Sequence, residues 1–422
     1  MTRNLMAILA ALALVGASPA ACSAGAEPTG EAQPAAGKVE PELAADPKVL
    51  EILNGLGEGC SAALPPVKTT GDINDLARRC GLDKAGPGAR DYCIKMAWMP
   101  ERKRAIFYGA NHGVPHRLND VWEYDLPSNT WVCLYGPDAN KGHGGDWSDV
   151  DRESADTKAG VIRTKRGGPA IIPHSWWNMT YDPEFKAMIT PCTWSMSDQE
   201  LFKLLQTGKH KPPLWKFTPE TGKWEPILDS KFDGKVPGYE NARAMEYLPE
   251  LGGTAWIKSD GVWLYDSKSN TWKDLKPNGG DMKAYWANMP DREQVAAYLP
   301  DKHLIVAHSR HGKGFRTTHY SIEKNEWKVA VEGEGADAVP GGFDAGTNFV
   351  YDRVAKVCLL TVPDKQELWA YDPDAAKWTK LEIKGPPMTK GRAGLLAFYD
   401  IAQNVLVIPG RWVYRHKAVA AQ

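Results

Sequence analysis

One spacing recurs through this chain: an aromatic residue, usually followed by Asp, with a Trp seven positions after the aromatic. It runs from Tyr124-Asp125 to Trp131, Phe217 to Trp224, Tyr265-Asp266 to Trp272, Tyr320 to Trp327 and Tyr371-Asp372 to Trp378. Internal repetition decides architecture before any single motif does. Each copy is one structural unit that buries its apolar face only against its neighbours.

A single unit reads as a β-hairpin. Residues 261–266 (GVWLYD) alternate and are rich in aromatic and branched side chains, residues 267–270 (SKSN) carry turn chemistry, and Thr271-Trp272-Lys273 begins a return strand. The same turn chemistry recurs at 126–129 (LPSN), 218–222 (TPETG) and 372–374 (DPD). Pro presets φ for such a turn, and Asn, Asp and Gly tolerate its left-handed corner. A second hairpin precedes each tag. Its turn also follows an aromatic, at Trp98, Tyr181, Tyr247, Tyr298, Tyr351 and Tyr399, and leads into an apolar strand such as 303–307 or 404–408. Two hairpins make a four-stranded antiparallel blade. Six leading aromatics predict an all-β, six-bladed propeller, with seven blades the weaker count. The sixth unit runs out after Arg411-Trp412-Val413-Tyr414, so the N-terminal segment is the candidate source of a strand that closes the ring and removes its edges.

These residues, a Tyr-Asp and a Trp at a seven-residue step, resemble the Kelch motif over about residues 93–415. The Gly pair that usually ends the second Kelch strand is replaced here by Tyr108-Gly109-Ala110 and Pro409-Gly410. The resemblance implies a diverged Kelch-like propeller, similar to the central domain of galactose oxidase. A shared fold does not carry a function with it. The tag aromatics are expected to pack between blades. Each buried ring removes ~150–250 Å² from water, roughly 4–6 kcal/mol at ~25 cal/mol per Å² as an upper bound.

Charge and cysteine usage bound the partners. The chain has 422 residues and a formal net charge of −1, which gives nucleic acid no electrostatic footing. Residues 1–22 have the pattern of an export signal: Arg3, an apolar run over residues 5–15, then small residues. Cys22 follows Pro19-Ala20-Ala21 and is a candidate lipid-anchor site; plain cleavage after Ala20 or Ala26 is the alternative. The protein is therefore expected outside the cytoplasm: periplasmic, on the cell surface or extracellular. Residues 23–46 read as a flexible tether, 47–92 as a small helical segment, 93–415 as the propeller and 416–422 as a tail. Six further cysteines, Cys60, Cys80, Cys93, Cys133, Cys192 and Cys358, form an even set, which in an exported chain predicts disulfides. Cys60–Cys80 is the preferred pair and Cys93–Cys133 the second, with Cys192 and Cys358 read as buried thiols. None has metal-ligand spacing, and the sequence requires no cofactor.

Strand direction then sorts the connections. Turns inside both hairpins share one face and are short. Connections between hairpins and between blades share the other face and are long and irregular, and binding usually resides on such loops. Seven of the ten histidines fall in that irregular set: His112, His116, His143, His174, His210, His308 and His311. So do five Trp that the blades do not need, namely Trp147, Trp176, Trp177, Trp194 and Trp286. Seven residues before each leading aromatic stand Asp91, His174, Glu240, Asp291, Asp344 and Arg392, all ionisable, with Tyr239, Arg243 and Arg292 beside them. At ~3.3 Å per residue, seven steps cross about one strand, so this set is expected at the axis on the irregular face. Clustered carboxylates would need Arg partners, a cation or raised pKa values.

Three functions follow as expectations. The first is a module whose irregular face binds a glycan or a protein, with Trp147, Trp176, Trp177, Trp194, Trp286, Asp91, Asp291, Arg292, Asp344, His308 and His311 as binding residues. The second is a carbohydrate-active enzyme. A lyase would use His174 as base, Tyr239 as acid and Arg243 as carboxylate neutraliser; a sugar mutarotase, known among six-bladed Kelch-like proteins, would use Glu240 with Arg243 or Arg392. The third, a copper radical oxidase, is disfavoured, because the adjacent Tyr-His pair that family uses is missing and His319-Tyr320 reverses it inside a blade tag.

Overall fold

The leading hairpin of all six blades and the tag hairpin of the first five turn by one rule, and the step of seven is their pairing register. In the computed structural model Tyr124 is the direct cross-strand partner of Trp131, Phe217 of Trp224, Tyr265 of Trp272, Tyr320 of Trp327 and Tyr371 of Trp378. The leading hairpins keep the same step without the Trp. There Trp98 faces Ala105, Tyr181 faces Met188, Tyr247 faces Thr254, Tyr298 faces Ile305, Tyr351 faces Cys358 and Tyr399 faces Leu406. The structure describes residues 43–422 except 89, 91, 110–117, 139–147, 158, 173, 192–198, 206–213, 228–236, 238–242, 259–260, 278–293, 312–313, 334–339, 342–346, 392–394 and 419–422.

The turn explains the register. In all eleven hairpins the fifth residue after the aromatic is left-handed, with φ between 48° and 63°, including Asn129, Gly222, Asn270, Asn325 and Asn404. Asn adopts this conformation at low cost, and its amide oxygen also accepts the tyrosine hydroxyl. Tyr124 donates to Asn129 at 2.6 Å, Tyr265 to Asn270 at 2.9 Å and Tyr320 to Asn325 at 2.7 Å. Where the aromatic is Phe217 there is no hydroxyl to satisfy, and the position is Gly222. Where it is Ala376, the Tyr371 hydroxyl meets His319 Nε2 instead, at 2.8 Å.

Six four-stranded blades result. The innermost strands are Ala97–Met99, Thr180–Asp182, Ala244–Leu248, Val295–Leu299, Phe349–Asp352 and Phe398–Asp400, for blades one to six. Each packs against the next, and that of blade six packs against that of blade one, so the ring closes. The outer strand of blade six comes from the other end of the chain: Cys60–Ala63 pairs antiparallel with Trp412–Arg415. A further N-terminal strand, Lys68–Gly71, adds in parallel to the outer edge of blade one. Segment 47–92 thus supplies two strands to the blades besides its helices Pro47–Gly55, Asp75–Arg79 and Leu82–Ala85. It is fastened by Arg90, fully buried, whose guanidinium grips the Asp120 carboxylate in two bonds of 2.9 and 2.6 Å.

The core is divided into layers between blades. Tag rings fill them: Tyr124, Phe217, Tyr320, Trp327 and Tyr371 are essentially buried, with Tyr–Trp ring centroids 4.9–5.4 Å apart across the tags. Only Trp272 is half-buried.

Three expectations need correction. The preferred disulfides are absent, since Cys60 and Cys133 are free thiols; Cys60 is spent on the closing strand. Cys358 is a buried free thiol, as read, and Cys192 lies outside the described residues. His308 and His311 do not lie on an irregular connection, because they stand on strand Leu304–His311, which pairs with Gly314–Ser321. The long connection after blade one carries its own hairpin, Val150–Asp156 with Val161–Thr164.

Candidate functional site: an aromatic cavity on the axis

All six innermost strands run in the same direction, so equivalent residues stand at one height around the axis. That geometry gathers the six leading aromatics, Trp98, Tyr181, Tyr247, Tyr298, Tyr351 and Tyr399, into the lining of a single cavity of about 510 Å³. Two positions further on, the turn residues Pro100, Pro183, Pro249, Pro300, Arg353 and Ile401 form its rim. The cavity therefore opens on the face of short, stereotyped turns.

Carboxylates hold the tyrosines from the side. Tyr298 donates its hydroxyl to Glu250 at 2.7 Å, Tyr351 to Asp301 at 2.5 Å and Tyr399 to Asp352 at 2.8 Å, each acid coming from the preceding blade. Tyr181 is bonded to Glu101 in the same way. These acids do not line the cavity. Each latch satisfies the polar edge of a ring that also seals two blades together, and holds that ring at the cavity wall.

At the deep end lies an ion pair. Lys95 of blade one reaches Glu246 of blade three at 2.7 Å, with the two side chains 6% and 14% exposed. Lys95 also donates to the Met245 carbonyl. Trp177, entering blade two, donates its indole N–H to the Ala296 carbonyl of blade four at 2.8 Å and to Glu246 at 3.3 Å. Burial pulls the Lys95 ammonium down and pushes the Glu246 carboxyl up, each opposed by its partner. The floor is thus a polar network drawn from four blades in a largely apolar chamber.

Beyond that floor, toward the irregular face, stand His174, Trp176 and Tyr92. The Tyr92 and Trp176 rings are 4.5 Å apart, and His174 is 5.0 Å from Tyr92. Both aromatics are left-handed, at φ 61° and 45°, and the Trp176 amide donates to the Tyr92 carbonyl at 2.6 Å. Such φ values are costly for bulky side chains and cluster at functional sites.

The sequence candidates distribute as follows. Asp91, Glu240, Asp291, Asp344 and Arg392 of the register set lie outside the described residues, as do Tyr239, Arg292, Trp147, Trp194 and Trp286. His174 is buried beside Tyr92 and Trp176, and Arg243 is buried at the entry to blade three. Trp177 is a floor residue, 2% exposed. His308 is a core residue of blade four: its nitrogens face Thr317 Oγ1 at 3.1 Å and the Pro340 carbonyl at 2.8 Å, and the Trp378 ring lies tilted against it at 4.9 Å. Burial pulls it down to about 4, so it is neutral. His311 pairs with Glu332 at 2.8 Å near the end of the same hairpin. Among the described residues no group of His, Cys, Asp and Glu is arranged to hold a metal, and no helix is long and apolar enough to cross a membrane.

Lys95, Glu246 and Arg353 were missed, and one signal pointed to them. Aligned on the leading aromatic, three positions back read Lys95, Asn178, Ala244, Val295, Asn348 and Leu396. One position back reads Ala97, Thr180, Glu246, Ala297, Val350 and Phe398; two ahead reads Pro100, Pro183, Pro249, Pro300, Arg353 and Ile401. Each series holds one charge. The departures from the repeat, and not its regularities, mark the cavity.

No family model matches this sequence, and no curated protein matches it. Among solved structures the chain is similar to TolB from Acinetobacter baumannii, at 11% identity over 72% of this chain and 56% of that chain, with a TM-score of 0.40. It is also similar to an auxiliary nutrient binding protein from Bacteroides thetaiotaomicron VPI-5482, at 10% identity over 84% and 76% of the two chains and a TM-score of 0.43. A putative TolB from Agrobacterium tumefaciens matches at 10% identity over 78% and 91%, with a TM-score of 0.39. The chain thus spans just over half the length of the Acinetobacter protein. These likenesses are of fold alone.

Proposed function

We propose that this protein is an exported binding propeller, built of diverged Kelch-like blades, that takes a saccharide into its axial cavity from the short-turn face. The observation that carries this reading is the convergence of six aromatic side chains, one per blade, around about 510 Å³. Small-molecule sites occupy roughly 300–1,000 Å³, are mostly apolar and hold a few convergent polar groups. Lys95, Glu246 and Arg353 are those groups here. A sugar ring suits such a chamber, because its C–H face stacks on an aromatic face while its hydroxyls reach polar groups at either end.

A second reading places the ligand at the opposite end of the axis, on the irregular face. The two left-handed aromatics Tyr92 and Trp176 beside His174 favour it. Catalysis by His174, Tyr239 and Arg243, or by Glu240 with Arg392, belongs to this reading.

A glycan array probed with wild type, Tyr247→Ala and Trp176→Ala separates the two. Axial binding predicts loss in Tyr247→Ala and retention in Trp176→Ala, with melting temperature as the folding control. The reverse pattern moves the site to the irregular end, and silence of wild type on every glycan rejects the saccharide.

A further inference from the structure

We infer that the ligand of the axial cavity carries an anionic substituent, a carboxylate or a sulfate, and that Arg353 binds it at the mouth. This rests on the saccharide reading above and specifies its class. The argument is one of charge accounting around the cavity wall. The described lining residues include three charged side chains: Lys95, Glu246 and Arg353. Lys95 and Glu246 neutralise each other at 2.7 Å on the floor. The acids near the mouth are engaged elsewhere: Glu101, Glu250, Asp301 and Asp352 accept tyrosine hydroxyls from the next blade, and Glu184 pairs with Lys268 at 3.0 Å. None of them lines the chamber.

Arg353 is the charge that the lining presents at the mouth; the latch carboxylates nearby keep their own charge, because a tyrosine hydroxyl is neutral, but they stand outside the lining. It stands at the rim position that is Pro in four blades and Ile in another. Among the described residues it has no ion-pair partner, and its charge is felt by the Tyr298 hydroxyl of the neighbouring blade. A cationic guest would meet this guanidinium at the entrance with no carboxylate in the lining free to balance it. An anionic guest would gain a planar fork of donors beside aromatic walls. A guanidinium matches a carboxylate or sulfate in two parallel hydrogen bonds, which a Lys point charge does not reproduce.

The test uses an array of matched oligosaccharides, neutral, uronic-acid and sulfated, probed with the full-length protein and with Arg353→Gln and Arg353→Lys. Wild type is expected to prefer an acidic member over its neutral match by about tenfold, and the preference should weaken in high salt. Arg353→Gln should bring acidic and neutral binding within about twofold of each other, and Arg353→Lys should fall between. The uronic-acid and sulfated arms tell which anion is preferred. Equal wild-type binding of matched acidic and neutral sugars overturns the inference and leaves the saccharide reading standing. A preference that survives in Arg353→Gln also overturns it. Binding of no sugar removes both.

Discussion

Lys95 Nζ meets Glu246 Oε1 at 2.7 Å across the propeller axis, although blade two lies between the blades that carry them. A buried pair of this kind is weak as a net stabiliser, but either half left alone is an uncompensated charge in an apolar chamber. Trp177 and the Met245 carbonyl complete the network, so the pair fixes how blades one to four sit about the axis.

Glu246→Leu is therefore expected to cost about 3–5 kcal/mol, and the double variant Lys95→Met/Glu246→Leu to cost much less than the sum of the single changes. Urea unfolding of the four proteins checks this. Simple additivity would show that the pair is not coupled.

The tag residues should govern stability and leave binding alone. Trp327→Ala, at a site with no exposure, is expected to lose about 3–5 kcal/mol. Tyr265→Phe removes one hydrogen bond to Asn270 and should lose about 1 kcal/mol. Ligand affinity, measured well below the unfolding transition, should be unchanged in both.

Acid should weaken the fold through two core imidazoles. Burial pulls His308 and His319 down to about 4, below their ordinary value of 6.5. Each is neutral when folded and binds its proton first when unfolded. Their stabilisation is complete above about pH 6.5 and is lost as pH falls from there toward 4. Asp400, pushed up to about 7 by burial, works in the opposite sense: its contribution is complete below 3.8 and lost as pH rises through 7. In His308→Asn the slope of stability against pH between 6 and 4.5 should be shallower by about one proton, roughly 1.4 kcal/mol per pH unit. An unchanged slope would show that His308 titrates normally.

Thiol chemistry gives a direct check on the cysteines. In denaturant without reductant, a thiol reagent followed by peptide mapping should label Cys60, Cys133 and Cys358. In the native state Cys133 and Cys358 should stay unlabelled, because burial shields them and pushes both thiols well above their usual pKa. Recovery of a Cys60–Cys80 or Cys93–Cys133 peptide would contradict the structure.

Much of the fold was legible because its rules are local. Tyr265, Asn270 and Trp272 sit within one turn, and hydroxyl, amide and ring geometry set their spacing. Any blade obeys the same rules, so they repeat and can be counted. The site was less legible for the opposite reason. Lys95 and Glu246 are separated by more than one blade, and neither makes a motif with its sequence neighbours. Trp176 and Trp177 are adjacent in sequence and looked alike, yet one packs its ring against Tyr92 while the other donates into the cavity floor. The disulfide expectation failed because cysteine number says nothing about which backbone segments lie within reach.

By itself the sequence determined the hairpin, its seven-residue register and the number of blades, since a left-handed fifth residue and facing aromatics are local chemistry. Tertiary structure alone decided the rest. Cys60–Ala63 carries no tag, and it becomes a blade strand only because ring closure brings it to Trp412–Arg415. Likewise the six leading aromatics form a chamber, with Lys95, Glu246 and Arg353 at its two ends, only because six parallel inner strands set equivalent residues around one axis. Closing the ring converts a spacing along the chain into a common height in space.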